Sequence, residues 1–205
     1  MDLKSTYNHI AENWHQDHKD DTWWIEATDK FISFLESGST VLDVGCGNGS
    51  KAKYLANKGL KVVGTDFSEK MIEISKREVP VGDFRVWDIY DIGHFVGTFD
   101  GVFACAVLLH VPKNKVATVM AGLVSKIKFG GYLYVAVKEG WPGQPEEQVV
   151  TENDYGFPYE RFFSFYTVDE LKKLFSDNGL VLRYENIATF GKTNWIQIVG
   201  QRTDS

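Results

Sequence analysis

The 205-residue chain predicts an α/β fold: a doubly wound, seven-stranded sheet, mostly parallel with an antiparallel last strand. Three observations carry this expectation. From residue 40 onward, short β-rich runs alternate with helical patterns, the order of a parallel sheet covered on both faces. The fourth of these runs, Phe99 to Ala106, is nearly all apolar, as a central parallel strand must be. The last two runs, Leu180 to Tyr184 and Asn194 to Val199, have few residues between them, so an antiparallel return is the natural connection.

Before the alternation begins, Leu3, Tyr7, Ile10, Ala11 and Trp14 follow helical spacing, and so do Trp24, Ala27, Phe31, Phe34 and Leu35. They predict two helices hinged around the charged stretch 17–21. Residues 1–37 are thus expected to form a helical cap, and residues 38–205 the core of the same single domain. Thr40 to Val44 is the first strand, followed by the cluster Gly45-Cys46-Gly47-Asn48-Gly49. A short helix then stops at Gly59, as a C′ glycine would stop it. Lys61 to Thr65 is the second strand, ending at Asp66. Ser68 caps a helix running towards Glu78, and Phe84 to Trp87 is the third strand, with Asp88 at its end.

After the fourth strand, Pro112 suits a first helical position. Val116, Val119, Met120, Leu123, Val124 and Ile127 mark the buried face of that helix, with Gly130-Gly131 as its expected stop. Tyr132 to Val137 is the fifth strand. Residues 139–165 read as a long irregular loop containing three of the five prolines and seven aromatics, too many for a solvated connector. Thr167-Val168-Asp169-Glu170 is a capping box for a helix closing at Gly179.

The 28 acidic against 22 basic residues give a net charge of −6, a poor match to a phosphate backbone. Nucleic acid is therefore not the expected partner. The longest apolar run is far too short to span a membrane, and the first residues lack a secretory apolar stretch, so a cytoplasmic location is expected. Cys46 and Cys105 form neither a disulfide framework nor a metal box, and no metal is expected.

A strand, a glycine-rich turn, a helix, and an acid about 20 residues on form a nucleotide-binding arrangement. The glycines let backbone approach a ligand, and the helix N-terminus favours negative charge. For a dinucleotide fingerprint the third glycine is out of place, because Ser50 stands where G-x-G-x-x-G needs its last residue. Instead, Val41-Leu42-Asp43-Val44-Gly45-Cys46-Gly47-Asn48-Gly49 resembles the first motif of class I S-adenosylmethionine-dependent methyltransferases. Val63-Gly64-Thr65-Asp66-Phe67-Ser68-Glu69-Lys70-Met71 resembles the second motif, and Asp88 follows the third strand. Phe99-Asp100-Gly101-Val102-Phe103, Leu109-His110-Val111-Pro112 and Phe129-Gly130-Gly131-Tyr132-Leu133 continue the resemblance, which spans about residues 38–200.

The resemblance implies a Rossmann-like fold whose N-terminal helices lie over the cofactor site, and methyl transfer from S-adenosyl-L-methionine, leaving S-adenosyl-L-homocysteine. It implies that Gly45, Cys46, Gly47 and Gly49 approach the methionine part, with Asp43 nearby and the backbone at Cys105 or Ala106 meeting the amine. Asp66 would hold the ribose, Phe67 and Met71 the adenine ring, and Asp88 with Ile89 its amino group. A turn-stabilising role for Asp43 and a capping role for Asp88 stay open beside these.

His110, following the fourth strand, is the candidate general base, or else a structural histidine bonded to a nearby carbonyl. Tyr7, Trp14, Lys138 and Arg161 join it as candidate acceptor contacts. The Asn/Asp-Pro-Pro-aromatic motif of many base and amide N-methyltransferases is absent. A small-molecule acceptor is therefore expected ahead of a protein or tRNA one, with the protein a monomer or homodimer. Two other readings stand beside this one: a nicotinamide-dependent oxidoreductase, and a non-catalytic methyltransferase-like binding subunit.

Overall fold

A computed structural model describes residues 2–203. Its main sheet comprises β1 (Thr40–Val44), β2 (Lys61–Asp66), β3 (Asp83–Val86), β4 (Phe99–Cys105), β5 (Ile127–Lys138), β8 (Leu180–Phe190) and β9 (Thr193–Arg202). Their order is β3-β2-β1-β4-β5-β9-β8. The first five are parallel; β9 runs antiparallel to both β5 and β8. The strand order reverses between β1 and β4, so a crevice opens beyond their carboxyl ends, where open α/β sheets hold ligands.

The strands are apolar on both faces because each face has its own helical cover. On one side α5 (Lys113–Ser125) and α6 (Val168–Asp177) bury Met120, Leu123, Leu171 and Phe175 against Val102, Val135 and Ile198. On the other, α2 (Ile25–Ile32), α3 (Ser50–Asn57) and α4 (Glu69–Glu78) bury Phe31, Leu55 and Ile72 with Phe103 and Tyr134. The expected capping box opens α6: Thr167 accepts from the Glu170 amide, and Glu170 accepts from the Thr167 amide.

The first helix, α1 (Leu3–His18), crosses the carboxyl ends of the strands instead of packing on a sheet face. Several polar ties and one apolar seam bind it to α4. Asn8 Oδ1 accepts from Ser68 Oγ and the Lys70 amide, Asn8 Nδ2 donates to Glu69, and Arg77 pairs with Glu12. Ile10 and Ala11 pack against Met71 and Ile74. Of the two N-terminal helices that the resemblance sets over the cofactor site, α1 covers the crevice, while α2 packs on the sheet face.

Several boundaries differ from expectation. Residues 139–165 are not irregular: β6 (Glu147–Glu152) and β7 (Tyr159–Ser164) form an antiparallel hairpin. Its strands carry charged and aromatic residues without clean alternation, which hides the period-2 signal. Helix α5 stops at Ser125, before Gly130-Gly131, because Ile127 already pairs with Phe99 as the start of β5. The carbonyls of Val124 and Ile127 at that corner accept from Arg202, far away in sequence. Pro112 is the cap of α5, not its first residue. Strand β3 lies one residue early, and β8 and β9 each extend well past the runs that predict them.

Candidate active site

The crevice opens into a cavity of about 800 Å³, within the range of small-molecule sites. Gly45, Cys46, Gly47, Asp66, Phe67, Met71, Asp88, Ile89, Cys105 and Ala106 line it, and so do Tyr7, Trp14, His110, Lys138 and Arg161. Of the residues singled out from sequence, Asp43 and Gly49 stand behind this wall.

The glycine turn is shaped for close approach. Gly45 has φ +68°, and a Cβ there would lie 2.5 Å from Val107 Cγ2, so no larger residue fits. Asn48 is fastened to α1, its side-chain amide donating to Nδ1 of buried His15. Across the strand-order reversal, Ala106 adopts φ +58°, a strained setting for a residue with a Cβ. Such strain concentrates where a backbone is held for a purpose.

Two carboxylates are sunk into this turn. Asp66, only 6% exposed, accepts from the Gly47 amide at 3.0 Å and the Ser68 amide at 2.9 Å. Burial raises it to about 6 against those backbone bonds. Asp43 is deeper, and its Oδ2 has no partner among the described residues. Burial raises it to about 7; Lys51, which the sequence reading missed, opposes the shift from the cavity wall. Asp88 Oδ1 accepts from the Tyr90 amide, so the expected capping role is real while the residue also faces the cavity.

This donor set fits the expected cofactor. Asp66 and Asp88 are acceptors that suit ribose hydroxyls and an adenine amino group, and Phe67, Met71 and Ile89 offer apolar surface for a purine. The Ala106 amide donates to the Ala136 carbonyl, so the backbone at that corner is partly committed to the sheet.

At the other end of the cavity, the Tyr7 hydroxyl lies 2.8 Å from His110 Nε2, and His110 Nδ1 lies 2.7 Å from the Phe162 carbonyl. A carbonyl only accepts, so Nδ1 carries the proton and Tyr7 donates to Nε2. Burial holds the imidazole neutral, at about 3. His110 is thus bonded to a carbonyl, as its structural alternative required, while its second nitrogen faces a phenol in the cavity wall. Arg161 grips both carboxylate oxygens of Glu152 across the hairpin, its Nη1 3.5 Å from the Tyr7 oxygen. Lys138 points its ammonium at Phe163, 4.1 Å from the ring centre. Neighbouring Glu139 turns away to accept from Asn194.

Trp23, just ahead of α2, stacks on Trp195 at 3.8 Å between ring centres, and both line the cavity. Asp21 and Thr193 join the lining from segments with no motif.

Sheet order, covered crevice and paired strand-end acids define a Rossmann-like methyltransferase fold. Residues 15–185 match the family model described as "Methyltransferase domain", and the chain belongs to that family. The nicotinamide reading, already at odds with Ser50, is set aside by this membership. The chain is 32% identical over 104 residues to the ubiquinone biosynthesis O-methyltransferase of Chromobacterium violaceum, covering 48% of this chain and 44% of that one. It is 32% identical over 131 residues to the tRNA (carboxymethyluridine(34)-5-O)-methyltransferase of Saccharomyces cerevisiae, covering 63% and 45%. The chain spans under half the length of these curated relatives. Among solved structures, Burkholderia thailandensis 1,6-didemethyltoxoflavin-N1-methyltransferase superposes with a TM-score of 0.77 at 17% identity, covering 98% of this chain and 88% of that one.

Proposed function

We propose that the chain transfers a methyl group from S-adenosylmethionine to a nucleophilic atom of a small-molecule acceptor. One observation carries the reading: a single cavity joins the glycine turn and its two strand-end acids to the Tyr7–His110 pair. When bound, the cofactor supplies a methyl group activated on a sulfonium. Asp66 and Asp88 would hold its ribose and adenine, and the turn at Gly45 and Gly47 would take its amino-acid end.

What remains for the protein is alignment and exclusion of water. Helix α1 excludes water by laying Trp14 over the glycine turn, within 3.7 Å of the space a Cβ on Gly47 would fill, and Tyr7 against Phe67 and His110. The β6–β7 hairpin closes the opposite side through Phe162 and Phe163. A proton leaving the acceptor would meet the Tyr7 oxygen first. Tyr7 can take it while passing its own proton to Nε2 of His110, which the Phe162 carbonyl holds in the receiving tautomer. Helix and hairpin wall the cavity on two sides, and its volume of about 800 Å³ suits a small acceptor better than a polymer.

Calorimetry with S-adenosylmethionine and its demethylated product tests the first half. A methyl-transfer screen against a metabolite library, read by mass spectrometry, tests the second. Binding of neither cofactor form overturns the reading.

A further inference from the structure

The acceptor half of the cavity holds two cations, and only one is neutralised. Arg161 is matched by Glu152, which turns both oxygens to the guanidinium. Lys138, half-buried at the last position of β5, has no carboxylate within ion-pair distance among the described residues. Its ammonium rests on ring faces alone, 4.1 Å from the centre of Phe163 and 5.9 Å from that of Trp195. A partly desolvated ammonium held only by π faces retains its need for an anion.

The arrangement is built, not incidental. Lys138 pairs in register with Trp195 on β9, and Trp195 is stacked on Trp23. Phe163 stands between Lys138 and the His110 ring, whose centre is 5.1 Å from its own. The cation therefore sits one ring away from the Tyr7–His110 pair, on the same wall. Burial, reinforced by the nearby Arg161 charge and only partly opposed by Glu152, lowers Lys138 to about 8, in keeping with a cation that has no carboxylate of its own.

Resting on the methyl-transfer reading, we infer that the acceptor is an aromatic carboxylic acid whose carboxylate pairs with Lys138 and whose ring lies against Phe163 and Trp195. One uncompensated positive charge matches one negative charge, which favours a monoanion over a phosphate dianion. The surrounding surface, Leu109, Phe162, Phe163 and Trp195, is apolar and suits a flat ring body. Of the two basic residues the sequence offers as acceptor contacts, Arg161 is taken by Glu152, which leaves an acidic group to Lys138.

The test uses the full chain saturated with S-adenosylhomocysteine and isothermal calorimetry. The probes are benzoate, 4-hydroxybenzoate and 2-naphthoate, each beside its neutral carboxamide. At least one acid should bind tenfold or more tighter than its amide. Lys138→Met should erase that preference and Lys138→Arg should keep it, with S-adenosylhomocysteine affinity unchanged in both. Equal binding of acids and amides, failure of every acid to bind, or a preference surviving in Lys138→Met overturns the inference. If S-adenosylhomocysteine itself does not bind the unaltered chain, the methyl-transfer reading fails, and this inference falls with it; the cofactor titration, run first, separates the two failures.

Discussion

The Tyr7 hydroxyl donates to Nε2 of His110 at 2.8 Å, joining residues 103 apart in sequence. The phenol therefore occupies the imidazole nitrogen that has no backbone partner. If protons leave through this pair, Tyr7→Phe should lower turnover about 10²-fold, as should His110→Ala. Cofactor affinity should stay unchanged. Because burial keeps His110 neutral down to about 3, the pH profile of kcat should show no break near the ordinary histidine value. Single-turnover kinetics of both variants check this, and full activity in Tyr7→Phe would leave the pair a packing feature.

Asp66 gives the second prediction. A carboxylate receiving two ribose hydroxyls makes charge-assisted hydrogen bonds worth about 1.5–3 kcal/mol each. Asp66→Ala should weaken S-adenosylhomocysteine binding by more than tenfold. Circular dichroism should show the fold intact, since burial already works against this carboxylate's charge and its protein partners are two backbone amides, of Gly47 and Ser68. Calorimetry giving unaltered affinity would remove Asp66 from the cofactor site.

The residues most legible in the sequence were those whose role is local. Gly45, Asp66 and Asp88 announce themselves because a strand end, a tight turn and the next strand end lie within one stretch of chain. The Thr167–Glu170 box is legible for the same reason. What stayed hidden depends on contacts between distant segments. Nothing near Arg161 in sequence shows that Glu152 will face it, because their meeting depends on a hairpin register. Trp23 and Trp195 stack only because β9 returns beside β5. Likewise, α5 stops short of its glycine pair because Phe99, on another strand, has already captured Ile127.

The Arg161–Glu152 pair carries a prediction about stability. The two side chains are only 15% and 20% exposed, so removing one strands the other in a poorly solvated place. Arg161→Met should destabilise the protein by about 3 kcal/mol, at the lower end of the range for buried pairs. Adding Glu152→Gln should restore most of that loss, since no uncompensated charge then remains. Urea unfolding of both single variants and the double decides it; additive losses would show that the pair is not coupled. If the hairpin also gates the site, amide exchange across residues 147–164 should slow when product cofactor and acceptor are both bound.

The last prediction concerns pH and the two sunken acids. Burial raises Asp43 to about 7 and Asp66 to about 6 in the folded chain, while the unfolded chain holds each near 3.8. Between those values the folded state binds more protons than the unfolded one, so stability must fall as pH rises. This contribution is complete below the unfolded value and gone once pH has passed the folded ones. Each group contributes a slope of at most about 1.4 kcal/mol per pH unit. Carboxylates paired with basic side chains, such as Asp100 beside Lys128, are held below their usual range and titrate lower still. From about pH 4.5 to 7 the two acids act against one opposing group: His110, lowered by burial from 6.5 to about 3, binds its proton only in the unfolded state there and contributes a rise of one proton's slope, which two carboxylates outweigh. Urea unfolding of the ligand-free protein should show stability declining across it, and Asp43→Asn should flatten the decline. A bound cofactor should oppose it, because hydroxyl donors on Asp66 favour the charged carboxylate. Stability that rises across this window without ligand would mean that the acids are charged and compensated in the fold, contrary to the unpartnered Oδ2 of Asp43.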